Sequence, residues 1–253
     1  MKTRKPLGVS LLAAWTVLGL AAVAGAAVTQ PRNSLYFDWK YEMNVSPELE
    51  DLDSDTNPDW GKSGTFSVSG GVLSYDTVPS GNAYFQSNNT GAGGIWPGKY
   101  TLASGFTIET RMKVLADSGI DFGLFAGPSG TKANAYLNVG QGSQGWDHVN
   151  NLGTNDNSDD FHVFRVAQEP GSATYSVWRD GLLLSDSLGN AHTYDRDGIW
   201  FGDGAGAWVG EVEIDYLRFT GGAWAPIVPE PSSLVLWTLA VAALLWCGRR
   251  RRG

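Results

Sequence analysis

The sequence predicts an all-β fold, an antiparallel sandwich of short strands over residues 27–226, and three observations predict it. Phe106, Ile108, Thr110, Met112 and Val114 alternate with Thr107, Glu109, Arg111 and Lys113, the period of two by which a half-buried strand turns one face to a core. Gly70-Gly71 and Asp180-Gly181 separate short apolar runs, and such pairs accept the positive φ of a tight hairpin turn. Helical spacing is scarce throughout the same region. Many short strands joined by glycine-rich turns form a sandwich or jelly roll.

In chain order, residues 1–26 precede the sandwich and are expected to be a signal peptide. Lys2, Arg4 and Lys5 form a basic start, 7–23 is apolar, and Ala24, Gly25 and Ala26 make a small-residue cleavage site. Cleavage is expected after Ala26, with an uncleaved N-terminal anchor as the alternative. Strands are expected at 64–69 and 72–76, then at 106–114, whose register is fixed because a one-residue slip would turn its charges into the core. Strands at 121–126, 133–139 and 161–168 follow, then a hairpin of 174–179 with 182–187, and finally 199–202 and 208–219. Pattern alone leaves the strand order open.

The chain ends with Val228, Pro229, Glu230 and Pro231, an uncharged apolar segment at 234–248, and Arg249, Arg250, Arg251 and Arg252. About 15 residues at a 1.5 Å rise give a helix of about 22 Å, a marginal transmembrane helix against a ~30 Å hydrocarbon core. The arginines are expected to stay on the cytoplasmic side, which puts everything before Pro229 across the membrane. The two prolines keep their segment extended and accessible to a peptidase. A plain single-span anchor fits this layout too. The motif, apolar run and arginine cluster together resemble the PEP-CTERM sorting signal of Gram-negative bacteria. That resemblance implies recognition by a membrane-embedded exosortase after passage through the general secretion machinery. It further implies cleavage near the Pro-Glu-Pro and delivery to the cell surface or extracellular matrix.

Residues 27–226 suffice for one domain. They carry 25 Asp and Glu against 11 Lys and Arg, a net charge of −14. So acidic a domain is poorly suited to nucleic acid, whose binding relies on Lys and Arg displacing counterions. The only cysteine is Cys247, which leaves the exported part without a disulfide.

A second resemblance lies in 106–114, in Phe161-His-Val-Phe-Arg-Val, in Tyr175-Ser-Val-Trp-Arg-Asp-Gly, in Ile199-Trp-Phe-Gly-Asp and in Ile214-Asp-Tyr-Leu-Arg-Phe. These look like successive strands of the concanavalin A-like, laminin G-like jelly roll, covering about 35–219.

Three groups of residues are candidates for chemistry. Trp146, Asp147, His148, Asn150 and Asn151 lie in a polar loop at 140–160, where an aromatic face and nearby amides could hold a glycan; the alternative is a solvated loop whose Trp146 folds back on the sheet. Asp51, Asp53, Asp55, Asn57 and Asp59 alternate as calcium ligands might. Thr56 and Lys62 stand where an EF-hand needs Gly and Glu, so the choice is between a looser calcium site and a plain acidic loop. Glu211, Glu213 and Asp215 share one strand face, as glycosidase carboxylates can. Their order and position match neither the lichenase nor the laminarinase pattern, and an outer solvated face opposite Val212, Ile214 and Tyr216 is the favoured reading. His148, His162 and His192 lack metal spacing, and no Gly-x-Ser-x-Gly elbow is present. The expectation is an exported, surface-sorted bacterial protein that binds extracellular polysaccharide without catalysis. A calcium-stabilised structural matrix protein is the alternative, and a glycoside hydrolase comes last.

Overall fold

The computed structural model describes residues 30–54, 56–76, 83–87, 103–117, 120–126, 133–147, 149–189, 198–203 and 210–227. The expected leader, the tail with its motif and apolar segment, Asp55, His148 and His192 lie outside them. Among the described residues no helix is long and apolar enough to cross a membrane.

The fold is an antiparallel jelly-roll sandwich. Its strands are β1 (Trp39–Tyr41), β2 (Trp60–Ser63), β3 (Phe66–Ser69), β4 (Val72–Asp76), β5 (Ala83–Ser87), β6 (Phe106–Asp117), β7 (Ile120–Ala126) and β8 (Ala133–Gly140). After these come β9 (Ser143–Trp146), β10 (Asn150–Gly153), β11 (His162–Gln168), β12 (Tyr175–Arg179), β13 (Leu182–Leu188), β14 (Gly198–Asp203) and β15 (Gly210–Gly221). Sheet I runs β13-β12-β11-β6-β15-β4-β3, with β1 also paired to β15; sheet II runs β10-β9-β8-β7-β14-β5-β2. At the centre, β6 pairs β15 in sheet I and β7 pairs β14 in sheet II. The consecutive pairs β6/β7 and β14/β15 therefore run side by side as the chain crosses between layers, which gives the sandwich its jelly-roll winding.

The alternation read from 106–114 is present: Phe106, Ile108, Met112 and Val114 are buried in the core. Both predicted hairpins form, with Gly70, Gly71, Asp180 and Gly181 all at positive φ. Between the sheets the core is largely aromatic. Tyr41 stacks on Trp60 at 5.8 Å, Trp60 meets Phe85 edge-on at 5.3 Å, and Trp146 lies 5.1 Å from Tyr175. These rings interlock the two layers without any disulfide, each well-placed pair adding about 0.5–1.5 kcal/mol beyond its buried area.

Two expectations need correction. The 140–160 stretch is not all loop: β9 and β10 form a hairpin there on the edge of sheet II. Within 27–226, Pro31 bridges Ala225 and Arg32 N–H donates to the Ala225 carbonyl at 3.0 Å. Tyr216 does not face the core beside Ile214. The β15 register shifts between Ile214 and Tyr216, and a bulge of this kind reverses which residues face inward. Leu217 and Phe219 therefore enter the core, while the Tyr216 hydroxyl donates to buried Glu109 on the outer face of sheet I.

Candidate functional site

The outer face of sheet II is built by register from strands far apart in sequence. Inward positions on its central strands are Phe85, Leu137, Ile199 and Phe201; alternation turns Tyr84, Gln86, Tyr136, Asn138 and Trp200 the other way. One cross-strand row reads Gly61, Gln86, Trp200, Gly123, Tyr136. The next reads Ser63, Tyr84, Gly202, Asp121, Asn138, Gly145, Asn151. Gly123 thus sits between two aromatic residues that are two strand spacings, about 9.5 Å, apart.

Gly202 has a φ of 120°, and a Cβ there would stand 2.4 Å from the Ala83 carbonyl oxygen. Only glycine fits beside Tyr84, and it leaves the Tyr84 and Trp200 rings to approach each other at 5.5 Å. The Tyr84 ring, packed on Trp200 and flanked by the Gln86 and Asn151 amides, suits a flat, hydroxyl-rich ligand: the ring meets its C–H face and the amides its hydroxyls. Trp200 and Tyr136 are each only 5 % exposed. Tyr84, Gln86 and Asn151 are more accessible, so a ligand arriving here meets them first.

The sequence-chosen glycan residues occupy a different place. Trp146 is 1 % exposed, its Nε1 donates to the Gly189 carbonyl at 3.0 Å, and its ring packs on Tyr175. It turns inward because alternation within β9 sends Gln144 and Trp146 to the core side. The expectation that Trp146 offers a face to sugar is therefore corrected. Asp147, at a φ of 55°, makes the turn. Asn150 and Asn151 are exposed on β10, and only Asn151 joins the outer-face row.

In the acidic loop, Asp51, Asp53 and Asp59 bring one carboxylate oxygen each to within 4.8 Å of one another. Asp59 is fully buried and accepts from Leu52 N–H, while Asp51 accepts from Thr56 N–H at 2.9 Å. Burial, with Asp59 and Asp51 nearby, pushes the Glu50 carboxyl above its ordinary value. Asn57 is exposed in the same loop. Three hard oxygen donors at this separation suit Ca²⁺, which takes carboxylate and carbonyl oxygens in flexible geometry.

Glu211, Glu213 and Asp215 remain half-buried on one side of β15. Asp215 is salt-bridged to Arg111 at 2.5 Å, and Glu213 stands opposite Lys113. With cations beside two of the three, the group fits a structural outer face better than an acid–base pair awaiting substrate.

The other concentration of buried charge lies on the outer face of sheet I. Arg165 donates through Nε to Glu109 at 2.7 Å, and through Nη1 to the carbonyls of Arg32 and Ala225. It thereby ties both ends of the described body to the sheet. A cleft of about 330 Å³ lies beside this pair.

No family model matches the chain, and no curated protein matches it in sequence. Several solved structures are similar to it. They include a carbohydrate esterase from a Shiga toxin-encoding bacteriophage (17 % identity, 66 % of this chain and 91 % of that one, TM-score 0.46). A Bacillus licheniformis β-glucanase matches at 16 % identity over 72 % of this chain and 97 % of its own, TM-score 0.44. The carbohydrate-binding module CBM66 of Bacillus subtilis matches at 13 % identity over 65 % and 96 %, TM-score 0.39.

Proposed function

We propose that the protein is exported, sorted to the bacterial surface through its C-terminal signal, and binds extracellular polysaccharide there without catalysing its cleavage. The binding reading is carried by the outer face of sheet II, where the accessible Tyr84 ring packs on buried Trp200 at 5.5 Å and the Gln86 and Asn151 amides are exposed on the same face. Sorting is supported by the tail: Val228-Pro-Glu-Pro, the apolar run, and Arg249 to Arg252 as the substrate of an exosortase. Sugar recognition of this kind needs a ring face and flanking amides more than charge, which agrees with an acidic domain that avoids nucleic acid.

The test is retention on immobilised polysaccharides, including the host's own exopolysaccharide, for the wild type, Tyr84→Ala and Trp200→Ala. Retention lost in both variants, with folding confirmed by circular dichroism, supports the reading. Tyr84 is half-exposed, so its truncation keeps the test informative if Trp200→Ala fails to fold. Absence of retention on every polysaccharide would falsify it, and release of new reducing ends would replace binding with hydrolysis.

A second reading, a structural matrix protein stabilised by calcium, is favoured by the converging carboxylates of Asp51, Asp53 and Asp59. It requires a calcium-dependent rise in thermal stability without sugar affinity.

A further inference from the structure

The large apolar side chains that are most exposed among the described residues are not spread evenly. They are Leu35, Tyr36, Val45, Leu49, Val149, Leu182, Leu183 and Ile227. Five of these eight fall on three segments around the cleft on sheet I. Asn33 and Ser34 line it and lead directly into Leu35 and Tyr36; Asp180 and Gly181 line it and lead into Leu182 and Leu183; Pro226 and Ile227 line it themselves. These five side chains are between 52 and 72 % exposed. Apolar exposure grouped in this way marks a surface that something covers.

The chain's own length identifies what covers it. Ile227 is the last described residue, and the apolar segment begins at Leu234. The six residues between them span at most about 20 Å when extended, whereas a domain of this size is roughly 40 Å across. The preceding residues cannot lengthen the tether. Gly222 N–H is bonded to the Gly105 carbonyl, Trp224 N–H to Thr107 Oγ1 and the Ala225 carbonyl to Arg32 N–H. A body held this closely, by this corner, presents the cleft face to the membrane.

We propose that this face rests on the bilayer while the tail is attached, with Leu35, Tyr36, Leu183 and Ile227 in the headgroup layer; Leu183 shares its face with Arg165 through Trp178. Leucine and isoleucine gain from leaving water, and the tyrosine ring suits an interface that is apolar on one side and wet on the other. The acidic remainder of the domain is repelled by anionic lipid, so zwitterionic lipid is the surface it fits. The inference rests on the tail being a membrane anchor. Processing near the Pro-Glu-Pro would then release the domain from the bilayer and uncover the patch.

The experiment uses the full chain in phosphatidylcholine vesicles, in a Cys247→Ser background. Single cysteines introduced as Tyr36→Cys, Leu183→Cys and Val149→Cys carry an environment-sensitive fluorophore. All three positions are exposed, so labelling leaves the core untouched. The expected result is a blue shift, with quenching by nitroxide lipids, at positions 36 and 183 but not at 149. Aqueous emission at all three, in chains that resist carbonate extraction, overturns the docking face and leaves the anchor standing. Extraction by carbonate overturns the anchor and the docking face together. A blue shift at both positions without quenching by nitroxide lipids assigns the face to a second copy of the chain and overturns the bilayer as its occupant.

Discussion

Replacing Arg165 with methionine removes a side chain that joins sheet I to both ends of the described body. Its guanidinium is 3 % exposed, is paired with Glu109 through Nε and Nη2, and donates to the carbonyls of Arg32, Trp224 and Ala225. Burial draws its pKa below the ordinary value, and the Glu109 carboxylate offsets part of that shift. In Arg165→Met the Glu109 carboxylate stays buried with Tyr216 Oη, 2.9 Å away, as its remaining side-chain donor among the described residues. Breaking a buried pair from one side costs about 3–5 kcal/mol. Unfolding entropy is about 2.1 cal/mol/K per residue, or about 0.4 kcal/mol/K for a domain of roughly 200 residues, so the loss corresponds to a Tm lower by about 7–12 °C. Differential scanning calorimetry and urea titration measure it. The double variant Arg165→Met with Glu109→Leu should recover part of the loss, because no charge is left buried alone. A loss of under about 1 kcal/mol in the single variant, the worth of a surface pair, refutes the view that the network is buried and cooperative.

Other substitutions probe other parts of the molecule. Trp146→Ala should cost about 3–5 kcal/mol by leaving a cavity against Tyr175, and a urea titration will reveal whether any loss of sugar retention is only loss of fold. Gln144 is 2 % exposed, with both amide atoms lacking hydrogen-bond partners among the described residues. Gln144→Met should therefore raise stability by about 1 kcal/mol or more in the same titration. Gly202→Ala drives a Cβ into the Ala83 carbonyl and should destabilise strongly, whereas Gly142→Ala meets nothing within 4 Å and should be near neutral by thermal melt. For Glu50 the folded pKa is raised above the unfolded one, so the folded state holds the proton more tightly. The group therefore favours folding more as pH falls through the raised folded pKa toward the ordinary carboxylate range. Glu50→Gln should remove that gain and flatten the pH profile of Tm in that window.

The parts of the fold legible in the sequence are those with local cause. In 106–114 every second residue except Thr110 is apolar, and at Gly70-Gly71 and Asp180-Gly181 the backbone needs positive φ, so those elements were readable without partners. Strands β9 and β10, Ser-Gln-Gly-Trp and Asn-Asn-Leu-Gly, are polar and glycine-bearing; they exist because β8 offers them an edge, and nothing in their own propensities signals it. The reversal at Tyr216 was hidden because a period-two reading assumes no bulge, and the one at Asp215 displaces every later residue on β15. For the same reason Trp146 could not be assigned inward until its hairpin was known. The ligand face was least legible: Tyr84, Gly123, Tyr136 and Trp200 are separated by up to more than a hundred residues, and only register unites them. Trp200 and Gly202, two residues apart on Ile199-Trp-Phe-Gly and so on one face, were the one signal that pointed there.

Strand β15 is the last of the described strands and among the most central in the sheet. It joins β6 on one side to β4 and β1 on the other, so until residue 221 has arrived, sheet I consists of two halves with no strand between them. Such a fold accumulates its long-range pairings late and closes slowly. If the chain is exported as we propose, the sandwich cannot complete while its C-terminal quarter is still on the cytoplasmic side, and the end of translocation would then be coupled to the onset of folding.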